Sequence, residues 1–154
     1  MMRITIVAVG RLKERWWRDA AEEYLKRLRP YVSIDVVEVA DRDLGAGVDR
    51  AMREEGEAVG RALPAGARVV ALAADGLALG SEGLAGWLDE RMRDGRPLAF
   101  VLGGSAGIDP ALLARADERL SLSPMTFPHQ MARVVLLEQV YRAFRILRGE
   151  PYHR

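Results

Sequence analysis

Hydrophobic residues recur along the chain with two alternating periods, which predict strands and helices in turn. Strands are expected where apolar, β-branched residues alternate with polar ones or form a short run. They are predicted at Arg3–Val9, Ser33–Ala40, Arg68–Ala73, Leu98–Leu102 and Arg119–Ser123. Helices are expected where apolar residues recur every three or four positions. They are predicted at Leu12–Leu28, Val48–Leu63, Ser81–Arg93, a short segment from Asp109-Pro110 to Ala116, and a long segment after Pro128.

Strands that alternate with helices predict one α/β domain over residues 1–154, with three layers and a mostly parallel sheet. The segment Asp41–Gly47 is expected to be a loop, and a turn at Asp75-Gly76 is expected to end the third strand. Ligands of such sheets bind outside the carboxyl ends of the strands. The relevant ends are predicted at Leu72–Gly76, Leu102–Gly107 and Ser121–Phe127.

The first predicted helix has apolar residues at every fourth position. They are Leu12, Trp16, Ala20, Tyr24 and Leu28. On this pattern Trp16 is expected to lie in the core, because a Trp at an apolar helix position is more often core than surface. Stacking of Trp16-Trp17 on nucleic-acid bases is the alternative.

The composition restricts the chemistry that the chain can carry. Hydrophobic residues make up 49% and charged residues 29% of 154 residues, as in ordinary globular domains. The absence of cysteine excludes disulfides, zinc–thiolate sites and a cysteine nucleophile. With only two histidines, a histidine-rich metal site is not expected. The apolar run at the N-terminus is too short for a signal sequence or a membrane span, so a cytoplasmic location without membrane contact is expected.

The net charge of +1 is unevenly distributed. Residues 1–30 carry eight Lys/Arg against four Asp/Glu, and residues 127–154 carry five against two. Residues 31–60 carry three against eight. Two basic ends around an acidic middle would form one positive face if they meet in space, as a polyanion-binding protein needs. Solvated helix faces explain the same charges without a partner.

The glycine-rich segment Gly103–Gly107 follows the fourth strand and has three interpretations. It matches G-x-S-x-G, which would make Ser105 the nucleophile of a serine hydrolase. Against this, the helix is predicted to begin only at Asp109-Pro110, several residues after the serine. It fits no P-loop and no G-x-G-x-x-G dinucleotide motif. The third interpretation is a turn whose bare backbone approaches a ligand closely.

Both histidines lie in the last quarter of the chain, His129 at the start of the long helix and His153 in the tail after it. A lone histidine at a helix start is more often structural than catalytic. A terminal segment is usually disordered. Neither residue alone indicates a function.

Taken together, four segments closely resemble the RlmH (YbeA) family, the bacterial ribosomal RNA large-subunit methyltransferases H of the SPOUT superfamily. The segments are Gly103-Gly104-x-x-Gly107, Ser121-Leu122-Ser123-x-Met125-Thr126-Phe127-Pro128-His129, Val140-Tyr141-Arg142-Ala143 and Pro151-Tyr152-His153-Arg154. The resemblance covers essentially the whole chain. The combination of the serine-containing block with the terminal Pro-Tyr-His-Arg is the specific part.

The resemblance implies an α/β fold with a deep C-terminal trefoil knot, which is a rare exception to the rule against threaded chains. It also implies a homodimer that binds S-adenosylmethionine and methylates N3 of a pseudouridine in 23S rRNA of the assembled ribosome. The implied cofactor contacts are Leu72, Gly103, Leu122, Ser123, Pro124, Met125, Thr126 and Phe127. Tyr152, His153 and Arg154 are predicted to be catalytic, and His129 and Arg142 are predicted to contact the substrate.

The chemistry of the tail agrees with this activity. Methyl transfer from a sulfonium needs an in-line acceptor and no metal, and the weakly acidic N3–H must be lost. His153 could take that proton, Arg154 could stabilise the resulting anion, and Tyr152 could stack on the base. The tail is expected to serve the partner's pocket rather than its own. The alternatives are a serine hydrolase that uses Ser105, and a ribosome-binding dimer without catalysis.

Overall fold

The structure, a computed structural model, describes residues 1–154 as five strands and five α-helices that alternate along the chain. The strands are β1 (Arg3–Val9), β2 (Ser33–Val39), β3 (Arg68–Ala78), β4 (Leu98–Leu102) and β5 (Glu118–Ser121). The helices are α1 (Arg15–Leu28), α2 (Val48–Ala62), α3 (Ser81–Asp94), α4 (Pro110–Arg115) and α5 (His129–Leu147). No helix is long and apolar enough to cross a bilayer.

All five strands are parallel and lie in the order β2-β1-β4-β3-β5. Side chains of a strand point alternately to the two faces of the sheet. On β1, Ile4 and Ile6 therefore pack into the larger core with α1, α3 and α5, whereas Val7 and Val9 pack with α2 and α4 on the other face. The prediction of a three-layer α/β domain is confirmed, and the sheet is wholly rather than mostly parallel. The trefoil knot stays a prediction.

The third strand does not end at Asp75-Gly76, so the predicted turn there is wrong. Strand β3 continues to Ala78, and its register with β5 shifts between Leu72 and Leu77. A Cβ atom on Gly76 would lie 2.7 Å from the backbone of Arg119 and Leu120. The glycine therefore marks a bulge where two backbones approach closely, not a chain reversal.

The prediction that Trp16 belongs to the core is also wrong, because its side chain is 65% exposed. An α-helix has 3.6 residues per turn, so positions spaced by four drift by roughly 40° per step. The face of α1 that joins the larger core therefore carries Trp17 in place of Trp16, together with Ala21 and the predicted Leu28. The expected loop at 41–47 contains one short 3-10 turn, Leu44–Ala46, whose start is capped by the side chain of Asp43.

Candidate active site

A cavity of about 370 Å³ lies at the carboxyl ends of β3, β4 and β5. This volume falls within the range of small-molecule pockets, about 300–1,000 Å³. Seven of the eight residues predicted to contact the cofactor line it; Pro124 does not. The lining residues are Leu72, Ala73, Ala74, Leu102, Gly103, Gly104, Gly107, Ile108, Leu113, Leu122, Ser123, Met125, Thr126, Phe127, His129 and Ala132.

The turn after β4 forms one wall of the cavity and requires glycine. A Cβ atom on Gly103 would lie 2.6 Å from the carbonyl carbon of Gly107 and 2.7 Å from its oxygen. Gly107 has a φ of +91°, a conformation that other residues rarely adopt. The backbone N–H of Gly107 donates to the carbonyl of Gly104 at 3.0 Å, which closes the turn. The chain is thus folded back tightly, so bare backbone faces the cavity.

The opposite wall is the segment 121–128, which two serines hold in shape. The hydroxyl of Ser121, a buried residue, donates to the carbonyl oxygen of Ser123 at 3.1 Å. The hydroxyl of Ser123 in turn accepts a hydrogen bond from the backbone N–H of Met125 at 2.9 Å. Serine side chains that bond nearby backbone groups in this way fix loop conformations. The pattern Ser-x-Ser is therefore explained by the shape of this wall.

Ten of the sixteen residues that line the cavity are hydrophobic, and none is Asp, Glu, Lys or Arg. Such a cavity suits an uncharged ring held between apolar side chains, with backbone groups to recognise its edges. No group of three or more His, Asp or Glu side chains is placed to hold a metal ion.

The serine-hydrolase interpretation finds no support in the geometry of the glycine turn. Ser105 is exposed and makes no side-chain hydrogen bond to a histidine. Helix α4 begins at Pro110, five residues later, whereas a nucleophile elbow places the serine where strand turns into helix. A nucleophile needs a base within hydrogen-bonding reach, and Ser105 lacks one.

The tail Pro151–Arg154 is folded back on α5 through a connected set of polar contacts. The hydroxyl of Tyr152 donates to Oε1 of Glu138 at 3.2 Å, and its ring packs edge-on against Tyr141 with centroids 4.8 Å apart. The guanidinium of Arg142 lies 4.8 Å from the centre of the Tyr152 ring and is paired with Glu138. Contacts of this kind hold the terminal residues in one place on the helix.

The same contacts constrain the chemistry of His153. Nη1 of Arg142 lies 3.1 Å from Nδ1 of His153. Because a guanidinium can only donate hydrogen bonds, Nδ1 must be the acceptor. In a neutral imidazole the proton is then on Nε2, which lies 3.9 Å from a carboxylate oxygen of the exposed Glu82. In this arrangement His153 offers an N–H donor rather than a free basic nitrogen.

Tyr152 is also restricted to one protonation state. Burial raises the pKa of the Tyr152 hydroxyl well above its ordinary value, and the nearby Tyr24 and the carboxylate of Glu138 raise it further. Tyr152 therefore remains a neutral phenol over the physiological pH range. It can donate a hydrogen bond or present its ring to a base, but it cannot act as an anionic base.

The cavity and the tail are separate within one chain. His129 and Ala132, on the first turn of α5, line the cavity, whereas Arg142 and the tail lie on the second half of that helix. Ten residues separate Ala132 from Arg142, which at 1.5 Å per residue is roughly 15 Å along the axis. None of the three predicted catalytic residues lines the cavity.

Comparison with known families identifies this arrangement. A family model described as "Predicted SPOUT methyltransferase" matches residues 2–153. The chain belongs to the SPOUT methyltransferase family. It is therefore a methyltransferase, and the methyl donor of this family is S-adenosylmethionine. The cavity fits that cofactor for two reasons. The backbone at Gly103 lies too close to Gly107 for any Cβ atom, so this wall offers bare backbone groups, and the rest of the lining is mostly apolar.

Eight residues that line the cavity were not among the predicted contacts, although five of them lie in the strand ends where a ligand was expected. They are Ala73, Ala74, Leu102, Gly104, Gly107, Ile108, Leu113 and Ala132. Signals for some of them were present, because Gly104 and Gly107 belong to the glycine motif and Ala73 and Ala74 directly follow Leu72. Leu113 on α4 and Ala132 on α5 carried no such signal, since only the packing of these helices brings them to the cavity.

Proposed function

We propose that this SPOUT methyltransferase methylates N3 of a pseudouridine in 23S rRNA of the assembled ribosome. The proposal depends on two features together: a mostly apolar cavity with a glycine wall, and a tail whose Tyr152 and His153 are fixed on α5. The first suits the methyl donor and the second suits an imide acceptor that becomes negatively charged when its proton is lost.

The cofactor would be held by the backbone at Leu72, Gly103 and the residues of Leu122–Phe127 that line the cavity, which are all but Pro124. Their N–H and C=O groups can recognise the edges of an adenine without any charged side chain. When bound, S-adenosylmethionine supplies a methyl sulfonium, which requires an in-line nucleophile. His129 projects from the start of α5 into the same cavity, so it is placed to contact the substrate at the rim.

The tail would act on the charge of the pseudouridine ring. The N3–H of pseudouridine is a weak acid whose proton would pass to bulk water, and the remaining anion is shared with the two ring carbonyl oxygens. The Nε2–H of His153 and the guanidinium of Arg154 can donate to such an oxygen, and donors fixed in advance stabilise developing charge most effectively. Tyr152 presents a neutral ring for stacking. His153 would take the N3 proton itself only if its contact with Arg142 were broken.

A homodimer would complete the site. In one chain the tail lies roughly 15 Å from the edge of the cavity along α5. If two copies pack with their α5 helices antiparallel about a two-fold axis, the Arg142 end of one helix faces the Ala132 end of the other. A two-fold interface repeats this exchange on both sides. Each active site would then combine the cavity of one protomer with the tail of its partner.

Replacement of Arg142 by Ala is expected to lower the rate of methyl transfer by about 100-fold, the low end of the effect of losing one positioned hydrogen-bond donor to a developing anion. The affinity for S-adenosylmethionine should not change, because Arg142 does not line the cavity. Nitrogen-15 NMR of His153 should show the Nε2–H tautomer in the wild type and a mixture in the variant. Arg148→Ala, at the exposed residue that directly follows α5, is the control. A wild-type tautomer pattern in Arg142→Ala would contradict the assigned role.

The proposed activity is tested by incubating the protein with ribosomes from cells that lack it, together with labelled S-adenosylmethionine. Mass spectrometry of the rRNA should place one methyl group on N3 of a pseudouridine in 23S rRNA. Transfer to another base, or no transfer, would refute the proposal. Ribosome binding combined with calorimetry that detects no binding of S-adenosylmethionine would indicate a dimer without catalysis.

A further inference from the structure

A second and larger cleft, of about 540 Å³, lies on the same edge of the sheet as the cofactor cavity. Its floor and walls come from α1, α5, the segment Arg11–Lys13 that follows β1, and the carboxyl half of β2. Four cations line it, Arg11, Lys13, Arg18 and Arg133. The proposed function assigns no role to this cleft.

One of the four cations is structural. Arg133 is 3% exposed, and its guanidinium is paired with Glu38 and donates to the carbonyl oxygen of Gly10 at 2.9 Å. It thereby ties the start of α5 to the ends of β1 and β2. Its charge is compensated by Glu38, so it contributes little to the attraction of a distant anion.

The other three cations have no carboxylate partner. Arg11 and Lys13 are exposed and form no ion pair. Arg18 donates to the backbone carbonyls of Leu12 and Lys13, at 3.1 and 2.6 Å, and these bonds neutralise none of its charge. Glu22 is the only carboxylate of the lining that lacks a cationic partner. Three unpaired cations against one unpaired carboxylate leave the cleft positive.

The basic cleft adjoins the cofactor cavity. The backbone N–H of Lys13 donates to Oε1 of Gln130 at 3.0 Å, so the segment before α1 rests on the first turn of α5. The cavity is lined by His129 and Ala132 and the basic cleft by Arg133, all on the first two turns of α5. Neighbouring strands lie about 4.8 Å apart, which puts the ends of β2 and β3 roughly 14 Å from each other. The two openings thus lie side by side.

We infer that the basic cleft binds the phosphate backbone of the RNA substrate a few nucleotides away from the modified base. This inference rests on the proposed function, because it needs an RNA substrate whose target base is at the cofactor cavity. Successive phosphates of a stacked strand advance by about 3.4 Å along the helix axis, so roughly 14 Å along that axis corresponds to about four nucleotides. Arg11, Lys13 and Arg18 then supply the contacts that position the RNA, while the cavity and the tail select the base.

The decisive variant is Arg11→Gln/Lys13→Gln, which removes two exposed cations and leaves Arg18 and its backbone contacts in place. The matched control is Arg53→Gln/Arg61→Gln, which removes the same charge from exposed positions on α2, on the opposite face of the sheet. Binding of 70S ribosomes is measured by filtration at a series of KCl concentrations. The Kd for S-adenosylmethionine is measured by calorimetry on each variant.

The cleft variant is expected to bind ribosomes about tenfold more weakly at physiological salt than the control. The slope of log K against log salt should become shallower by roughly 1.4, about 0.7 for each cation removed, and binding of the cofactor should not change. Ribosome binding and a salt slope equal to those of the control would overturn the inference. A cleft variant whose mass in sedimentation differs from that of the wild type would also overturn the inference, because the cleft would then be an interface between copies of the chain. Wild-type protein that methylates no RNA would instead refute the proposed function.

Discussion

Gly103→Ala is expected to weaken the binding of S-adenosylmethionine by at least tenfold. The added Cβ would lie 2.6 Å from the carbonyl carbon of Gly107, and backbone cannot move aside as a flexible side chain can. Overpacking at such a site costs about 1–3 kcal/mol. The turn must open to make room for the side chain of the new alanine. This movement displaces the wall of the cavity that the turn forms.

Calorimetry on the purified variant measures the change in Kd, and circular dichroism monitors the fold. Gly86→Ala serves as the matched control, because Gly86 lies on α3 with open space where its Cβ would be. The control should bind the cofactor normally and should be as stable as the wild type or slightly more so, since Ala favours helix over Gly by about 1 kcal/mol. Wild-type affinity in Gly103→Ala would show that the glycine turn does not hold the cofactor.

Deletion of Tyr152–Arg154 is expected to abolish methyl transfer while cofactor binding persists, because no tail residue lines the cavity. The complementary defect is Gly103→Ala, which damages the cavity but keeps the tail. With S-adenosylmethionine kept well below the Kd of Gly103→Ala, neither variant alone should show more than residual activity. When the two are mixed in equal amounts and refolded together, about a quarter of wild-type activity should return. Half of the dimers would be mixed, and each mixed dimer would contain one intact cavity facing one intact tail.

This mixing experiment distinguishes the two possible sources of the tail. If each tail served the cavity of its own chain, every chain in the mixture would carry one defect, and no activity would return. Tail deletion that leaves the rate unchanged would contradict the catalytic assignment altogether. Sedimentation of the deletion variant verifies that it still forms dimers, so that a loss of activity is not a loss of assembly.

The order of the secondary-structure elements was predictable because each element has a clear local pattern. The runs Arg3–Val9 and Leu98–Leu102 are bounded by glycine or proline-containing turns, and both strands have the predicted boundaries. The prediction failed where tertiary contacts overrode a local signal. Asp75-Gly76 has the composition of a turn, but the close approach of β5 makes it a bulge. Trp16 has an apolar spacing, but the drift of that spacing around the helix takes it to the surface.

By itself, the sequence determined the residue types of the proposed site: a glycine turn after β4, a segment after β5 whose shape is fixed by serines, and a Tyr-His-Arg tail. Each is a local property, since glycine permits close backbone contact and serine bonds its own loop. Only the tertiary structure decided which of them meet. Parallel strands bring the glycine turn and the serine segment to one edge, where they form a single cavity. The contact between Arg142 and His153 keeps the tail on the far half of α5 and fixes its donor, because packing, unlike sequence spacing, sets the distance and direction between side chains.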